Sequence, residues 1–385
     1  MFSQARLAQL HDVMARHVER GTVPGVIMLV SRRGEVHVDV LGKQAFDGAP
    51  LRRDSLFRIS SMTKPITAVG ALTLVEQCVL RLDDPVDEVL PELAGRRVLR
   101  RIDGELDDTV PANRAITLRD LLTFRFGFGQ LFEPYPIVTA ARERLLGMGP
   151  PNPADYPAPD EWLRRLGELP LMAQPGEKWL YHVGSDVLGV LLERVSGKPL
   201  DAFLAERVFE PLGMKDTAFS TSSVDRLVTS YLEGSVFDEP GGQWSRRPRF
   251  LSGGGGLLST IDDMSAFAHL MLNNGQHEGT RILSRPMIEL MTTDHLTPAQ
   301  KAVSGFFPGY FDNRGWGFGV SVVTAHTGMH HRPGCYGWDG GLGTSWQVDP
   351  AEGLTGVLLT QVAGFPDFSP VYQDFWTSVY QAVDD

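Results

Sequence analysis

The stretch FRISSMTKPITAVGALTLVEQ, residues 57–77, starts with a serine pair and a lysine and continues as an apolar helical pattern. Ser61 and Lys64 are three residues apart, so at the start of a helix their side chains share one face. A serine nucleophile needs a base, and lysine can serve when burial and the helix dipole lower its pKa. The spacing alone is common, and a helix start with a solvated lysine explains it equally well.

Composition limits the classes of partner. The chain has 385 residues, 42% hydrophobic and 22% charged, which is typical of a globular protein with a sizeable core. A net charge of -11 argues against nucleic acid and anionic membranes, which favour clusters of Lys and Arg. We expect a small-molecule partner, no nucleic acid and no membrane, and the composition leaves the oligomeric state open.

The cellular compartment is predicted from the cysteines and the first residues. Cys78 and Cys335 are far apart and lack metal-type spacing, so neither a disulfide framework nor a thiolate metal site is indicated. Residues 1–21 lack the apolar core of a signal peptide and predict an amphipathic helix instead. The apolar face of that helix consists of Leu7, Leu10, Val13 and Met14. We therefore expect a cytoplasmic protein.

Strand patterns lie at both ends of the chain and helical patterns lie between them. Residues 24–44 predict a hairpin, and residues 315–324, 343–350 and 354–363 predict three consecutive antiparallel strands. The helical patterns cover residues 61–80, 117–124, 185–197, 259–275 and 371–383. Residues 125–176 are rich in Pro, Gly and aromatics, which is typical of ordered loops over a site.

This order of elements predicts an α/β fold in two lobes. Residues 1–60 together with 250–385 form the expected α/β domain, and residues 61–249 form the expected helical domain. The cleft between the two lobes is the expected site.

Five stretches, in this order along the chain, resemble the serine β-lactamase-like superfamily, in the branch of class C β-lactamases and family VIII carboxylesterases. They are residues 57–77 with LRLDDPV (80–86), ITLRDLLTFRFG (116–127), QPGEKWLYHVGSDVLGVLLERVSGKPL (174–200), GGGGLLSTIDDMSAFAHLMLNNG (253–275) and YGWDGGLGTSWQVDP (336–350). The resemblance implies a β-lactamase-like fold, an antiparallel sheet flanked by helices plus a mainly helical lobe. It implies neither a cofactor nor a metal.

The resemblance also implies the catalytic residues. Ser61 is the expected nucleophile, and Lys64 and Tyr181 together are expected to take its proton. Tyr181 occupies the first position of the family's Y-x-N motif, where Val183 departs from the asparagine. That departure removes an amide that often orients the substrate. His182 is expected to point away from the site.

The third motif departs from its relatives as well. Where they carry K-T-G or H-T-G, this chain has Trp338, Asp339 and Gly340, which we assign to substrate binding. An indole cannot anchor a substrate carboxylate, and losing such a charge-assisted bond costs ~1.5–3 kcal/mol. The N–H groups of Ser61 and Gly341 are the expected oxyanion hole. The alternative is an edge hairpin with a surface tryptophan.

Aromatic residues in two loop regions are candidates for an acyl or alcohol pocket. They are Phe124, Phe126, Phe128, Phe132, Tyr135, Phe306, Phe307 and Phe311. From this set we assign Phe126 and Phe128 to the substrate pocket. Three histidines lie within six residues of the sequence, at His326, His330 and His331. We expect them to be solvated rather than to bind a metal.

The predicted function is a serine carboxylesterase acting on short or medium acyl chains through an acyl-enzyme on Ser61. One alternative is a β-lactamase or D-amino peptidase of the same fold. Two further alternatives are an acyltransferase and a non-catalytic binding protein.

Overall fold

A seven-stranded antiparallel sheet is the central feature of the computed structural model, which describes residues 1–364 and 370–384. The strands are β1 (Gly25–Arg32), β2 (Glu35–Gly42), β3 (Phe57–Arg58), β4 (Arg97–Leu99), β5 (Thr109–Pro111), β6 (Ser230–Leu232), β7 (Ser235–Asp238), β8 (Leu258–Ser259), β9 (Gln276–His277), β10 (Thr280–Arg281), β11 (Arg314–Trp316), β12 (Ser321–Val323), β13 (Tyr336–Gly340), β14 (Thr344–Asp349) and β15 (Leu354–Leu359). The order in the large sheet is β11-β12-β13-β14-β15-β1-β2, and the remaining strands form two-stranded pairs. Strands from both ends of the chain therefore build one sheet.

Helices pack on both faces of the sheet, and most of them belong to the part of the chain between β2 and β11. They are α1 (Gln4–Glu19), α2 (Thr63–Glu76), α3 (Leu118–Leu122), α4 (Pro136–Glu143), α5 (Pro159–Gly167), α6 (Val183–Ser196), α7 (Leu200–Leu204), α8 (Glu210–Leu212), α9 (Ile261–Leu272), α10 (Arg285–Met291), α11 (Pro298–Ala302) and α12 (Pro370–Gln381). No helix within residues 1–364 and 370–384 is both long and apolar enough to cross a bilayer. The predicted α/β architecture, an antiparallel sheet flanked by helices, is confirmed.

Both faces of the central strands are apolar, which explains why β1 lacks the alternation of a half-exposed strand. Ile27 and Leu29 of β1 belong to the main core, which also holds buried residues of α2 and α9. Val26 and Met28 alternate with them and belong to a second core with buried residues of α1 and α12. The sheet therefore separates two apolar layers.

The predicted hairpin over residues 24–44 is confirmed, with β1 and β2 joined at Arg33 and Gly34. Both residues of this turn have positive φ, 49° and 89°, the geometry that suits a two-residue hairpin. The predicted ends of two helices are also close to those observed. Gly197 caps α6 in the left-handed conformation, and α9 ends shortly before Gly275.

Two strand predictions are corrected. Residues 315–324 form not one strand but the pair β11 and β12, because the chain reverses through Gly317 and Gly319. The alternative of an edge hairpin for residues 336–350 is also wrong, since β13 lies between β12 and β14. However, β13 pairs with β12 only at Tyr336 and Gly337, so the segment from Trp338 to Gly340 is not paired with β12. The division into domains at residues 60 and 250 stays a prediction.

Candidate active site

Ser61 lies in a single 3-10 turn, Ser60–Met62, directly before α2. Ser60 has φ 46°, a left-handed conformation that is uncommon for a residue with a side chain. The preceding Ile59 holds the turn, because its N–H donates to the Leu257 carbonyl at 3.0 Å and its carbonyl accepts from Thr344 Oγ1 at 3.2 Å. The nucleophile candidate is thus held in place by a side-chain hydrogen bond from β14 and a backbone hydrogen bond to the segment before β8.

Lys64 is completely buried at the first turn of α2. Its Nζ lies 2.9 Å from Ser61 Oγ, 2.5 Å from the Gly254 carbonyl oxygen and 3.1 Å from His182 Nδ1. Burial lowers the pKa of Lys64 to about 7, although the charge of Asp186 acts in the opposite direction. A lysine with this pKa is partly neutral at physiological pH, so it can accept a proton from Ser61.

Tyr181 contacts the same serine from another side. Its phenol is near enough to Ser61 for the serine hydroxyl to affect the pKa of the phenol, and the phenol oxygen accepts the indole N–H of Trp338 at 2.7 Å. Lys64 Nζ lies over the ring of Tyr181, 4.6 Å from its centroid. Burial raises the pKa of Tyr181 well above its ordinary value, so the phenol keeps its proton at neutral pH. The three catalytic candidates from the sequence are therefore in mutual contact.

Trp338 is buried and belongs to an aromatic cluster beside Tyr181. The other buried residues of the cluster are Phe124, Trp179, Tyr181, Leu296, Tyr310, Phe311 and Trp316, with Phe306 packed against them. The Trp338 ring meets Trp316 edge to face at 4.7 Å and Tyr181 at 5.5 Å. The alternative of a surface tryptophan is wrong, because only 6% of Trp338 is exposed.

Gly340 allows β13 to approach the turn of the nucleophile. A Cβ at this position would lie 2.1 Å from Thr344 Oγ1 and 2.4 Å from the Ile59 carbonyl oxygen, which is shorter than any real contact. The absence of a side chain therefore brings the end of β13 next to Ser61. Gly341 follows directly and lines the same cavity as Ser61.

A cavity of about 400 Å³ opens over Ser61. Its lining residues are Ser60, Ser61, Gln130, Phe132, Met148, Gly149, Pro150, Pro151, Tyr181, His182, Leu232, Glu233, Trp338, Asp339, Gly340, Gly341, Leu342, Gly364 and Tyr372. No lysine or arginine is among these residues, within the part of the chain that the structure describes. Glu233 and Asp339 are acidic, and burial raises the pKa of Asp339 to about 6.

The assignment of Phe126 and Phe128 to this cavity is corrected. Both side chains are fully buried in the main core, on either side of Gly127, and neither lines the cavity. Phe132, four residues further on, is 51% exposed and lines it. The alternating phenylalanines of residues 124–128 do not show whether a side chain lies in the protein core or in the substrate pocket, because both environments are apolar.

The expectation that His182 points away from the site is wrong. Its Nδ1 contacts Lys64, and its Nε2 lies 3.2 Å from Asp186 Oδ2. Sequence reasoning also missed Asp186 and the Gly254 carbonyl, which both belong to the surroundings of Lys64. One signal was present, because His182 and Asp186 are four residues apart at the start of a helix and so share a face.

The fold and this serine–lysine–tyrosine site define a serine hydrolase class that carries out acyl transfer. A family model described as Beta-lactamase matches residues 10–374, and the chain belongs to this family. It is 38% identical over 367 residues to Protein Rv1367c of Mycobacterium tuberculosis, covering 91% of this chain and 88% of that protein. It is 31% identical over 395 residues to Esterase EstB of Burkholderia gladioli, covering 92% of this chain and 90% of that protein.

A solved structure agrees with these sequence matches. EstCE1, described as a hydrolase with promiscuous acyltransferase activity, superposes with a TM-score of 0.82 at 25% sequence identity. The match covers 98% of this chain and 99% of that chain. The whole described fold, rather than one motif, is therefore shared.

Proposed function

We propose that the protein is a carboxylesterase of the family VIII type, with Ser61 as nucleophile and Lys64 as general base. The observation that carries this proposal is the 2.9 Å contact between Ser61 Oγ and the buried Lys64 Nζ, at the edge of a cavity lined by neutral and acidic residues. The serine has a base within reach, and none of the described residues that line the cavity is a lysine or arginine that could bind an anionic substrate.

The reaction follows from these contacts. Ser61 Oγ forms a bond to the ester carbonyl carbon while Lys64 Nζ accepts the hydroxyl proton. The carbonyl π electrons move onto oxygen, where the N–H groups of Ser61 and Gly341 stabilise the charge. The bond to the alkoxide then breaks, and the alkoxide takes the proton from Lys64 and leaves as the alcohol. Water repeats the sequence and releases the acid.

The charge of the cavity favours neutral esters over penicillins and cephalosporins, which carry a carboxylate. Glu233 and Asp339 line the cavity, so a bound carboxylate would meet negative charge rather than a cation. Trp338 occupies the motif position at which relatives carry the cation, and its one N–H is already donated to Tyr181. The cavity volume of about 400 Å³ suits a short or medium acyl chain.

The test compares a series of p-nitrophenyl esters of increasing acyl length with a chromogenic cephalosporin. We expect efficient hydrolysis of short and medium esters, slow hydrolysis of the cephalosporin, and loss of ester hydrolysis in Ser61→Ala. Efficient cephalosporin turnover with feeble ester cleavage would favour the β-lactamase alternative. Undiminished ester hydrolysis by Ser61→Ala would remove Ser61 as nucleophile.

Acyl transfer to an alcohol is the second candidate function, and the similarity to EstCE1 favours it. The first half-reaction is the same, and an alcohol replaces water in the second. Adding an acceptor alcohol and separating the new ester from the free acid by chromatography distinguishes the two outcomes. We expect the acid to dominate.

We also propose a cytoplasmic location. It is supported by Cys78 and Cys335, which are both free thiols, as a reducing compartment would keep them. Fractionation of the native cells with an antibody against the protein tests this location.

A further inference from the structure

Two routes of close polar contacts connect Lys64 with Asp186. In the first, Lys64 Nζ contacts His182 Nδ1 at 3.1 Å and His182 Nε2 contacts Asp186 Oδ2 at 3.2 Å. In the second, Lys64 Nζ donates to the Gly254 carbonyl at 2.5 Å, and the Gly254 N–H donates to Asp186 Oδ1 at 3.0 Å. The three side chains are at most 4% exposed. The resulting ring is therefore almost entirely buried, and His182 is its one member that also lines the cavity over Ser61 among the described residues.

Asp186 fixes the tautomer of His182. Burial alone would raise the pKa of Asp186, but hydrogen bonds from His182, Ser252 and Gly254 hold it below its ordinary value. An ionised carboxylate only accepts hydrogen bonds, so His182 Nε2 carries the hydrogen that faces it. Burial and the nearby Lys64 lower the pKa of His182, which keeps the imidazole neutral. Its Nδ1 is therefore a bare acceptor directed at Lys64.

The hydrogens of the Lys64 amine can then be assigned. A neutral amine has two hydrogens and one lone pair. The Gly254 carbonyl and His182 Nδ1 are both acceptors without a hydrogen, so each takes one hydrogen of the amine. The third neighbour is Ser61 Oγ at 2.9 Å, and the lone pair is left for its hydroxyl proton.

We propose that His182, held in one tautomer by Asp186, is a positioning residue that directs the lone pair of neutral Lys64 at the Ser61 hydroxyl. This inference rests on the proposed function and deepens it. Val183 lacks the asparagine amide of the family motif, and in this chain the preceding side chain is the one that contacts the lysine.

The backbone at His182 supports a functional reason for this placement. His182 has φ 80° and ψ -67°, and the Val183 N–H donates to the Tyr181 carbonyl at 3.1 Å across it. This γ-turn is rare and strained for a residue with a large side chain. The strained turn allows consecutive side chains to reach different partners, since Tyr181 contacts Ser61 and His182 contacts Lys64.

Asp186→Asn tests the proposal with little change in shape. The amide oxygen still accepts from Ser252 and Gly254, but the amide NH₂ now faces His182 Nε2 and needs an acceptor there. His182 then carries its hydrogen on Nδ1, and that hydrogen occupies the lone pair of Lys64. We expect the rate at which a p-nitrophenyl phosphonate labels Ser61, followed by mass spectrometry, to fall by about 10²-fold or more.

Asp263→Asn is the matched control. Asp263 is a buried carboxylate in α9 that accepts from the Asp216 N–H at 2.8 Å and from Thr217 Oγ1 at 2.7 Å, away from the cavity. Its substitution also removes one buried charge, and we expect an unchanged labelling rate. Equal losses in both variants would mean that only folding is affected, and would overturn the positioning role.

The wild-type protein offers a measurement that needs no variant. In a long-range ¹H–¹⁵N NMR spectrum of ¹⁵N-histidine-labelled protein, we expect His182 to be protonated at Nε2 and bare at Nδ1. A hydrogen on Nδ1 would overturn the inference, whether or not Asp186→Asn folds. Wild-type protein whose Ser61 is not labelled contradicts the proposed function itself. Normal labelling of both wild type and Asp186→Asn contradicts only the role of His182.

Discussion

Lys64 and Tyr181 respond to the same burial in opposite directions. Burial favours the neutral form of each group, so it lowers the pKa of Lys64 to about 7 and raises that of Tyr181. Near neutral pH the lysine is a free base in part of the molecules, while the phenol still holds its proton. We therefore assign proton removal to Lys64 and a hydrogen-bonding role to Tyr181.

The pH profile follows from this assignment. Because only neutral Lys64 can accept the serine proton, kcat/KM for a p-nitrophenyl ester should rise with pH through about 7 and reach a plateau about one unit above. Asp339 in the same cavity has a pKa raised to about 6, so Asp339→Asn is the control that should leave the limb near 7 in place. A profile that is flat between pH 6 and 8.5 would contradict a lysine base.

Trp338 provides a second prediction at this scale. Trp338→Phe keeps an aromatic ring in the cluster but removes the N–H that Tyr181 accepts at 2.7 Å. We expect kcat to fall about 5–10-fold, the equivalent of one hydrogen bond of about 1–1.5 kcal/mol, with nearly unchanged unfolding by urea. Wild-type kcat in this variant would mean that the indole only packs.

The sequence identifies Ser61, Lys64 and Tyr181, because these residues occupy motif positions with local spacing. It does not identify His182 as a partner of Lys64, because that contact joins residues 118 positions apart and depends on a strained turn. The sequence shows that Trp338 departs from the family motif, but it does not show that the indole N–H donates to Tyr181. A missing cation can be seen in a sequence, whereas a hydrogen bond to a distant phenol cannot.

At the level of elements, Gly340 of β13 lies directly against the nucleophile turn and leaves no room for a Cβ. Gly340 faces the Ile59 carbonyl, the same group that holds the turn before Ser61. The sequence predicts substrate binding for Gly340 and an oxyanion-hole role for the N–H of Gly341. The structure adds a steric reason, which needed the position of β13 beside that turn.

Gly340→Ala should therefore damage the site more than an ordinary glycine substitution. The added Cβ has no room, so the turn or β13 must move and the Ser61 geometry is lost. We expect kcat/KM to fall at least about 10²-fold, since displacement by about 1 Å has effects of this size. Gly241→Ala, where a Cβ meets nothing within 4 Å, is the control and should retain activity.

At the scale of the whole molecule, the N-terminal and C-terminal segments pack against each other. Phe2 pairs with Val383 in an isolated antiparallel bridge, and α1 and α12 pack together over the outer face of the sheet. Strands from both ends of the chain also share the seven-stranded sheet. The detailed placement of α12 on α1 was not predictable, because two amphipathic helices alone do not specify which helix each one meets.

Two phenylalanines are predicted to have different roles, one in the stability of the fold and the other in substrate specificity. Phe375 is fully buried in the layer of α1 and α12, and Phe375→Ala should lower the free energy of unfolding by about 3–5 kcal/mol. Phe132 is half exposed in the cavity, and Phe132→Ala should alter KM along the ester series while changing stability by less than about 0.5 kcal/mol. Urea unfolding and kinetics, normalised to phosphonate-labelled serine, measure both effects. The reverse pattern would contradict this division.

Because Lys64 depends on distant contacts, the reactivity of Ser61 reports when folding is complete. The partners of the lysine amine lie 3, 118 and 190 positions away along the chain, so the reactive pair is complete only when distant segments have met. Contacts of such long separation form late, after the local helices. Phosphonate uptake by Ser61 during refolding should therefore lag behind the recovery of helical circular dichroism and report arrival at the native state.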